Sequence, residues 1–524
     1  MPSRTKELYS DVIVIGAGFA GCYLLRNLRK QGFQVQLVEE GHGLGGVWWH
    51  NRYPGAPWTE KYPSQPEILQ YFEFVDRKWA LSRDITFGAK VTDATFDANT
   101  NRWTIMTDQG QLMSARFLLP AMGFAVKTYT PDLNGLESFE GLLCHTAHWP
   151  HEPLDLSGKR VGIIGTGATG VQLVQEIGPV AEKLVVFQRS PNCTMPMRQK
   201  ISGDGEADKS GYEDLFSQMK KSRAGFTYPV VTRKEMDDTP EQQQHLFENL
   251  WEEGGFAPTH GNYSDFMTNL EANHLFYNFW REKVRHRIHV DDDELIENLA
   301  PENLPYPFST KRPSLEQNYY EILSQKRRPP RVALRQIFNR NNINLVALKK
   351  NPIDKVLPDG VRMKDGTLHK LDALILATGF DAITGSFSRV NFRGLKSRSL
   401  NKEWKTGTRT YLSPTATAIG PVISEIQGDW IIGTLVHLRN KGLSRIDPQP
   451  AAEQEWGRLT ADFCNATLLS HNKTTWYMGG NIPGKQREAL SFMGGIPKYQ
   501  KALDSCVSND LQGFNFCWFR LDLL

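Results

Sequence analysis

Two glycine-rich turns, each between a short apolar segment and a helical one, constrain the fold of this chain more than any other feature. Gly16-Ala17-Gly18-Phe19-Ala20-Gly21 follows the apolar run DVIVI, and Gly165-Thr166-Gly167-Ala168-Thr169-Gly170 follows Val161 to Ile164. In a strand, Gly-x-Gly-x-x-Gly and helix unit, the glycines permit a tight turn, close approach of the backbone to a pyrophosphate and close helix packing. The sequence therefore predicts an α/β fold with two Rossmann-like dinucleotide-binding domains.

The first unit carries the features expected around FAD. Its second strand, Phe33 to Val38, ends at Glu39, an acid placed to accept hydrogen bonds from ribose hydroxyls. Gly45-Gly46 follows, and then a segment rich in aromatic residues that could wall a flavin ring: Val47, Trp48, Trp49, His50 and Arg52. A glycine turn without a ligand is the alternative, and the complete unit argues against it.

The second unit points to NADPH. Its second strand, Leu184 to Phe187, leads into Gln188-Arg189-Ser190, where a cation replaces the acid that suits a free ribose 2′-hydroxyl. A guanidinium and a hydroxyl suit a 2′-phosphate, although a solvated arginine is the alternative. Two different nucleotide sites imply hydride transfer from NADPH to FAD. Since no thiol pair lies beside the flavin segment, the expected acceptor is oxygen.

Bulk properties exclude several classes of protein. The 524 residues are enough for two to four domains, and Lys+Arg 61 against Asp+Glu 58 gives a net charge of +3, too balanced to favour nucleic acid as a partner. We expect no membrane span, because no apolar run reaches about 18 residues. The six cysteines lack zinc spacing, so no metal site is predicted. We expect a cytoplasmic protein that is a monomer or weak oligomer.

The motifs also suggest a division of the chain. We predict an FAD-binding domain from 1–140 and 372–524, an NADP-binding domain from 151–200 and 306–371, and a helical insertion over 201–305. An apolar stripe at helical spacing marks the insertion and predicts core packing. It consists of Ala272, Phe276, Phe279, Trp280, Val284 and Ile288.

The segment between the two units carries a resemblance to a known family. Phe139 to Pro150 reads FEGLLCHTAHWP and fits Phe-x-Gly-x-x-x-His-x-x-x-Trp-Pro, which resembles the fingerprint of type I Baeyer–Villiger monooxygenases. The likeness extends over nearly the whole chain, through Phe-Gln-Arg-Ser at 187–190, Thr-Lys-Arg at 310–312, Ala-Thr-Gly-Phe-Asp at 377–381 and Trp-Tyr-x-Gly-x-Asn-x-Pro-Gly-Lys at 476–485.

The resemblance implies an FAD- and NADPH-dependent monooxygenase. Such an enzyme inserts one oxygen atom from O2 next to the carbonyl of a small ketone, through a C4a-peroxyflavin, to give an ester or lactone. By resemblance, Arg312 is the catalytic residue, Lys311 contacts the 2′-phosphate beside Arg189 and Ser190, and Trp476 contacts NADP. The residues implied to line FAD are Glu39, Val47, Trp48, Trp49, His50, Arg52 and Val91. His145 of the fingerprint is expected to couple domain motion rather than act as a general base.

Three segments depart from the family pattern. A stretch that would carry an Asp partner for Arg312 is missing near Glu60, Leu323 to Ile337 looks inserted, and Ser413 to Gly428 replaces a flavin-side Gly-Pro-Gly segment. The departures predict a less well oriented Arg312 and some leakage of hydrogen peroxide. Two alternatives stay open at this point. One is an N- or S-oxygenating flavin monooxygenase, and the other is a catalytically impaired relative that acts as a regulatory or interaction module.

Overall fold

The computed structural model describes residues 8–51, 61–200, 211–324, 342–413 and 420–518. Two β-sheets, each with parallel strands at its centre, form the framework of this part of the chain. The first has seven described strands in the order β17-β4-β5-β6-β1-β2-β3. They are β1 Leu8–Ile15, β2 Val35–Val38, β3 Ile85–Thr86, β4 Val91–Asp97, β5 Arg102–Thr107, β6 Leu112–Pro120 and β17 Asn391–Arg393. The β-branched run DVIVI lies in β1, which pairs in parallel with β2 and β6. Its side chains at Val12, Ile13 and Val14 are fully buried, as expected for a central parallel strand.

The second sheet has five described strands, in the order β12-β9-β8-β16-β7. They are β7 Leu142–His145, β8 Arg160–Ile164, β9 Lys183–Gln188, β12 Ile343–Ala347 and β16 Ala373–Leu376. Smaller sheets complete the described strands: β10 Met195–Pro196 with β11 Leu315–Glu316, β13 Ile353–Leu357 with β14 Gly360–Met363 and β15 Leu368–Lys370, and β18 Leu443–Pro448 with β19 Phe514–Trp518.

Helices cover both sheets. The described helices are α1 Phe19–Lys30, α2 Val47–His50, α3 Gln65–Trp79, α4 Ala168–Ile177, α5 Tyr212–Lys221, α6 Pro240–Glu253, α7 Ala257–His260, α8 Leu270–Arg285, α9 Asp293–Leu299, α10 Tyr319–Leu323, α11 Thr384–Phe387, α12 Leu400–Glu403, α13 Gly420–Asn440, α14 Pro450–Asn465 and α15 Ile496–Ser508. Within this part of the chain, no helix combines the length and the apolar character that crossing a membrane requires.

The helical segment over 211–299 packs on the second sheet. The predicted apolar stripe lies on α8, with Ile288 just beyond its end, and Phe276, Trp280 and Val284 are fully buried. These side chains belong to one core cluster with the sheet residues Val161 and Ile163. The stripe is therefore core, as its spacing predicted.

The pairing of one strand bears on the predicted division of the chain. The strand at 373–376 was assigned to the FAD-binding part, but β16 pairs in parallel with β8 and β7 of the second sheet. Strand β7 is formed by residues 142–145 of the FEGLLCHTAHWP segment, which lies between the two predicted nucleotide domains. Both differences have the same cause, since a short buried apolar strand looks alike in either sheet and its pairing is set by distant residues.

Candidate active site

The first glycine turn has a backbone that glycine alone accommodates. Gly16 has φ +103°, and a Cβ added there would lie 2.7 Å from the carbonyl oxygen of Ala121. A Cβ on Gly21 would lie 1.8 Å from the Gly16 carbonyl oxygen, so strand β1 and helix α1 are in close contact. Next to Gly18 there is room, because the nearest atom to an added Cβ is Gly46 Cα at 3.7 Å.

Glu39 is held against this turn at the end of β2. Its Oε2 accepts a hydrogen bond from the Ala17 N–H at 2.6 Å, and its Oε1 accepts one from the Gly41 N–H at 2.7 Å. Burial raises the pKa of the Glu39 carboxyl, and the two backbone donors oppose that shift. A carboxylate has about four acceptor positions, so both oxygens retain capacity for a further donor.

The aromatic segment follows the same turn. The Gly45 N–H donates to the Ala17 carbonyl at 3.0 Å, and α2 begins directly after Gly46. Helix α2 contains the predicted FAD-lining residues Val47, Trp48, Trp49 and His50. Burial lowers the pKa of His50, which therefore favours its neutral form. Val91 begins β4 and packs in the core under the first sheet, which leaves its backbone rather than its side chain to meet a nucleotide. Arg52 lies outside the described residues.

The second glycine turn repeats the geometry of the first. Gly165 has φ +109°, and an added Cβ would lie 2.5 Å from the Ala377 carbonyl oxygen. A Cβ on Gly170 would lie 2.1 Å from the Gly165 carbonyl oxygen, whereas no atom lies within 4 Å of a Cβ on Gly167. Helix α4 then begins at Ala168, and Thr169 is its second residue.

Hydrogen bonds join this turn to the other residues predicted to bind NADP. The Thr166 hydroxyl donates to the Ser190 carbonyl at 3.1 Å. The Asn192 amide nitrogen donates to the Thr166 carbonyl at 2.6 Å and to the Ser314 hydroxyl at 2.7 Å. Asn192 therefore organises the site, and the sequence reading missed it. Its partners are 26 and 122 residues away, so no local pattern marks it.

Positive charge collects beside the second turn. Lys311 Nζ lies 4.2 Å from the centroid of the Tyr306 ring. Burial lowers the pKa of Lys311 to about 8, and the nearby cations Arg189 and Lys349 add to that shift. Among the described residues, neither Arg189 nor Lys311 forms an ion pair with a carboxylate, so the cluster suits an anion such as a phosphate.

Arg312 is exposed and lies against an aromatic ring. Its Cζ is 5.3 Å from the centroid of the Phe256 ring, and its charge opposes the rise in the pKa of Tyr477 that burial causes. The adjacent Thr310 hydroxyl accepts a hydrogen bond from the Asn472 amide at 2.9 Å. None of the described carboxylates forms an ion pair with Arg312. Glu60, the acid beside the stretch that is missing relative to the family, lies outside the described residues, as does most of the predicted insertion at 323–337.

The loop that contains Trp476 contacts the two segments that connect the first sheet to the second. The Trp476 ring stacks on Phe124 with centroids 5.7 Å apart and planes 6° apart. The Asn481 amide donates to the Phe380 carbonyl at 2.8 Å. Since Asn472 of the same region binds Thr310, this C-terminal loop brings Trp476 near the Thr310–Arg312 turn. The replaced segment at 413–428 forms in part the beginning of α13, and 414–419 lie outside the described residues.

His145 has a structural environment. Its Nδ1 accepts a hydrogen bond from the Ala147 N–H at 3.1 Å, so the ring proton lies on Nε2, which is 3.3 Å from the Thr378 hydroxyl. Burial lowers the pKa of His145, so the ring favours the neutral form. The imidazole joins the FEGLLCHTAHWP segment to the residues after β16. This position agrees with a coupling role and gives no support to general-base catalysis.

The two turns fit dinucleotides. Helices α1 and α4 each begin after a glycine that makes no side-chain cap, and neither first turn contains an acidic residue. Uncapped N–H groups and the helix dipole favour a phosphate at such a position, and the room beside Gly18 and Gly167 admits one. The described residues contain no cluster of side chains suited to a metal ion.

Comparisons with known proteins give the family. A family model described as pyridine nucleotide-disulphide oxidoreductase matches residues 10–205. Cyclopentanone 1,2-monooxygenase of Comamonas sp. is 36% identical, and the alignment covers 96% of each chain. Acetone monooxygenase (methyl acetate-forming) of Gordonia sp. is 33% identical over 96% of this chain and 98% of its own. A Baeyer-Villiger monooxygenase of Pseudooceanicola batsensis is 32% identical over 96% and 95%.

Solved structures agree in fold. The closed crystal structure of cyclohexanone monooxygenase has a TM-score of 0.90 and 32% identity, and the match covers 98% of this chain and 100% of that one. The OTEMO complex with FAD and NADP has a TM-score of 0.89 and 29% identity, with the same coverage. The predicted fold class and both cofactors are confirmed, and the two alternative functions are not favoured. The chain therefore belongs to the Baeyer–Villiger monooxygenases, the FAD- and NADPH-dependent flavin monooxygenases that its motifs predicted.

Proposed function

We propose that this protein oxidises a small ketone to an ester or lactone with NADPH and O2, and that Arg312 is its catalytic residue. The observation that carries the proposal is the position of Arg312. Its exposed side chain lies against Phe256, directly after Lys311 and two residues after Thr310, which accepts a hydrogen bond from Asn472 near Trp476. A cation would therefore stand between the expected nicotinamide nucleotide and an apolar surface that suits a ketone.

The remaining predicted residues would hold the two cofactors. Gly16, Gly18, Gly21 and Glu39 would hold FAD, with α2 beside it. Gly165 to Gly170, Arg189, Ser190 and Lys311 would hold NADPH. Bound FAD supplies the redox chemistry, because it accepts two electrons from NADPH and activates O2.

Arg312 acts by electrostatics in this proposal. A guanidinium stays protonated at every working pH, so Arg312 neither gives nor takes the proton of the reaction. Its charge stabilises the negative oxygen that develops when a ketone carbonyl is attacked. A preorganised donor of this kind contributes roughly 3–4 kcal/mol to catalysis. Trp476 and Phe124, stacked on each other, would limit the access of water.

The relatives support a ketone as the substrate. Two of them are named for cyclopentanone and acetone. We further propose that the FAD-binding part comprises 1–140 and the chain after β16, and that the NADP-binding part comprises 151–200 and 306–376, with 201–305 inserted. A cytoplasmic location and a monomeric or weakly oligomeric state stay predictions.

The stoichiometry of the reaction tests the function. The purified FAD protein is given NADPH with cyclopentanone or acetone, and ester, NADPH and hydrogen peroxide are measured together. We expect ester to account for most of the NADPH consumed with at least one ketone. Hydrogen peroxide in place of ester with every ketone, or turnover only of amines and sulfides, would contradict the proposal.

A further inference from the structure

The turn that carries Arg312 is held at its beginning by a buried amide of α8. Asn273 is fully buried, and its side-chain oxygen accepts a hydrogen bond from the Phe308 N–H at 2.6 Å. Its amide nitrogen donates to the Phe308 carbonyl at 3.1 Å. Ser309 follows with φ +64°, a left-handed conformation that residues other than glycine seldom adopt unless their surroundings fix it. The backbone of the turn therefore starts from a fixed place.

A second buried amide binds the turn two residues before Arg312. The Thr310 side chain is fully buried, and its hydroxyl donates to the Pro307 carbonyl at 2.6 Å. The same hydroxyl accepts a hydrogen bond from the Asn472 amide nitrogen at 2.9 Å, across 162 residues of sequence. Asn472 is itself buried. Neither group can turn to water instead, so loss of one partner leaves the other unsatisfied in the interior.

The oxygen of the same Asn472 amide organises the segment before Trp476. It accepts hydrogen bonds from the Thr474 N–H at 2.9 Å and from the Thr474 hydroxyl at 3.0 Å. Thr475 comes next, fully buried, and its hydroxyl caps the short 3₁₀ helix that begins at Trp476. One side chain therefore joins the turn with Arg312 to the loop with Trp476.

Arg312 depends on its turn for its direction. Within the ranges that the structure describes, no carboxylate forms an ion pair with Arg312, and its guanidinium carbon lies 5.3 Å from the Phe256 ring centroid. An aromatic face attracts a cation. It does not fix the direction of the guanidinium plane as the two parallel hydrogen bonds of a carboxylate do. The backbone of the turn is then what determines where this charge lies.

We propose that Asn472 is a positioning residue for Arg312. Its amide nitrogen, through Thr310, holds the guanidinium where the negative oxygen of the reaction develops. Its amide oxygen makes that position depend on the loop with Trp476. The inference rests on the proposed function, in which Arg312 stabilises that oxygen. Asn472 acts only through the turn, and a shift of the charge by about 1 Å is enough to lower the rate about 100-fold.

Two substitutions test the bond from its two ends. Thr310→Val keeps the shape of the side chain without the hydroxyl, and Asn472→Leu keeps its approximate size without polar atoms. We expect each to lower ester formation about 10- to 100-fold, with the missing NADPH equivalents recovered as hydrogen peroxide. Thr310→Ser, which retains the hydroxyl, should restore the ester yield. The double variant should be no worse than Asn472→Leu alone, because both changes remove the same bond.

A matched control is a buried threonine outside the site. The Thr460 hydroxyl is buried on α14 and has no hydrogen-bond partner among the described residues, so Thr460→Val should keep the wild-type ester yield. Melting temperature and FAD content are measured for every variant. Wild-type ester yield in Thr310→Val, or losses that multiply in the double variant, would overturn the inference while the proposed function stands.

A structural readout separates the inference from the proposed function. Crystal structures of the wild type and of Thr310→Val, both with FAD and NADP⁺, should show the Arg312 guanidinium displaced by about 1 Å or more in the variant. A guanidinium in the same place in both structures would refute the positioning role. If the wild type oxidises no ketone, the proposed function fails, and the two structures still decide whether the Asn472–Thr310 bond positions Arg312.

Discussion

At the scale of single residues, the proposed catalysis depends on the charge of Arg312. Replacement by a side chain of similar length without charge, Arg312→Met, should lower ester formation about 100- to 1000-fold, which corresponds to roughly 3–4 kcal/mol. FAD content should be retained, because the glycine turn and Glu39 lie elsewhere. Ester, peroxide and bound flavin are measured together. Arg458, an exposed residue of α14 in ion pairs, gives the control Arg458→Met. Wild-type ester formation by Arg312→Met would remove Arg312 from the mechanism.

Lys311 should make NADP⁺ binding depend on pH. With its pKa lowered to about 8 by burial and neighbouring cations, Lys311 is charged below that pH and becomes neutral above it. A phosphate binds the charged form better, so the Kd for NADP⁺ should rise as pH increases through about 8. The same titration with Lys311→Arg, which stays charged, should be nearly flat between pH 7 and 9. A wild-type Kd that is constant over this range would show that Lys311 does not contact the phosphate.

At the scale of elements, two glycines at the beginning of α4 should have different roles. Gly170 should matter for packing, and Gly167 for ligand binding. Gly170→Ala puts a Cβ 2.1 Å from the Gly165 carbonyl oxygen, so α4 must move off the sheet. Gly167→Ala meets no protein atom within 4 Å, and its Cβ should disturb only a bound phosphate. We expect Gly170→Ala to lower the melting temperature, and Gly167→Ala to keep it but weaken NADP⁺ binding about tenfold or more. Equal effects of both variants on melting would contradict this distinction.

Elements set by local pattern were predictable from the sequence, and pairings between distant segments were not. The turn at Gly16, the cation at Arg189 and the stripe on α8 are visible because each depends on neighbours in sequence. The membership of β16 in the second sheet depends on pairing with strands more than 200 residues away. The same reason hid Asn192, whose side chain joins three separate segments.

At the scale of the whole molecule, two segments connect the sheets and run side by side. The Tyr129 N–H donates to the Gly379 carbonyl at 2.9 Å, and the Asp381 N–H donates to the Lys127 carbonyl at 2.8 Å. The Asp381 carboxylate also pairs with Lys127 Nζ at 3.2 Å and with Lys485 Nζ at 2.5 Å. Lys485 belongs to the C-terminal loop that contains Trp476. Asp381 thus fastens that loop to the connection between the two sheets.

The Lys485–Asp381 pair should control how well NADP⁺ is retained. Both side chains are largely buried, 16% and 15% exposed, so the bond is worth more than a surface pair, about 1.5–3 kcal/mol. In Lys485→Gln the loop with Trp476 loses its tie to Asp381. NADP⁺ should then dissociate about tenfold faster, and more of the NADPH consumed should end as hydrogen peroxide. Lys473→Gln, an exposed change nearby, serves as the control. Stopped-flow measurement of NADP⁺ release decides the matter, since an unchanged rate in Lys485→Gln would mean that the loop is positioned by Asn472 and Asn481 alone.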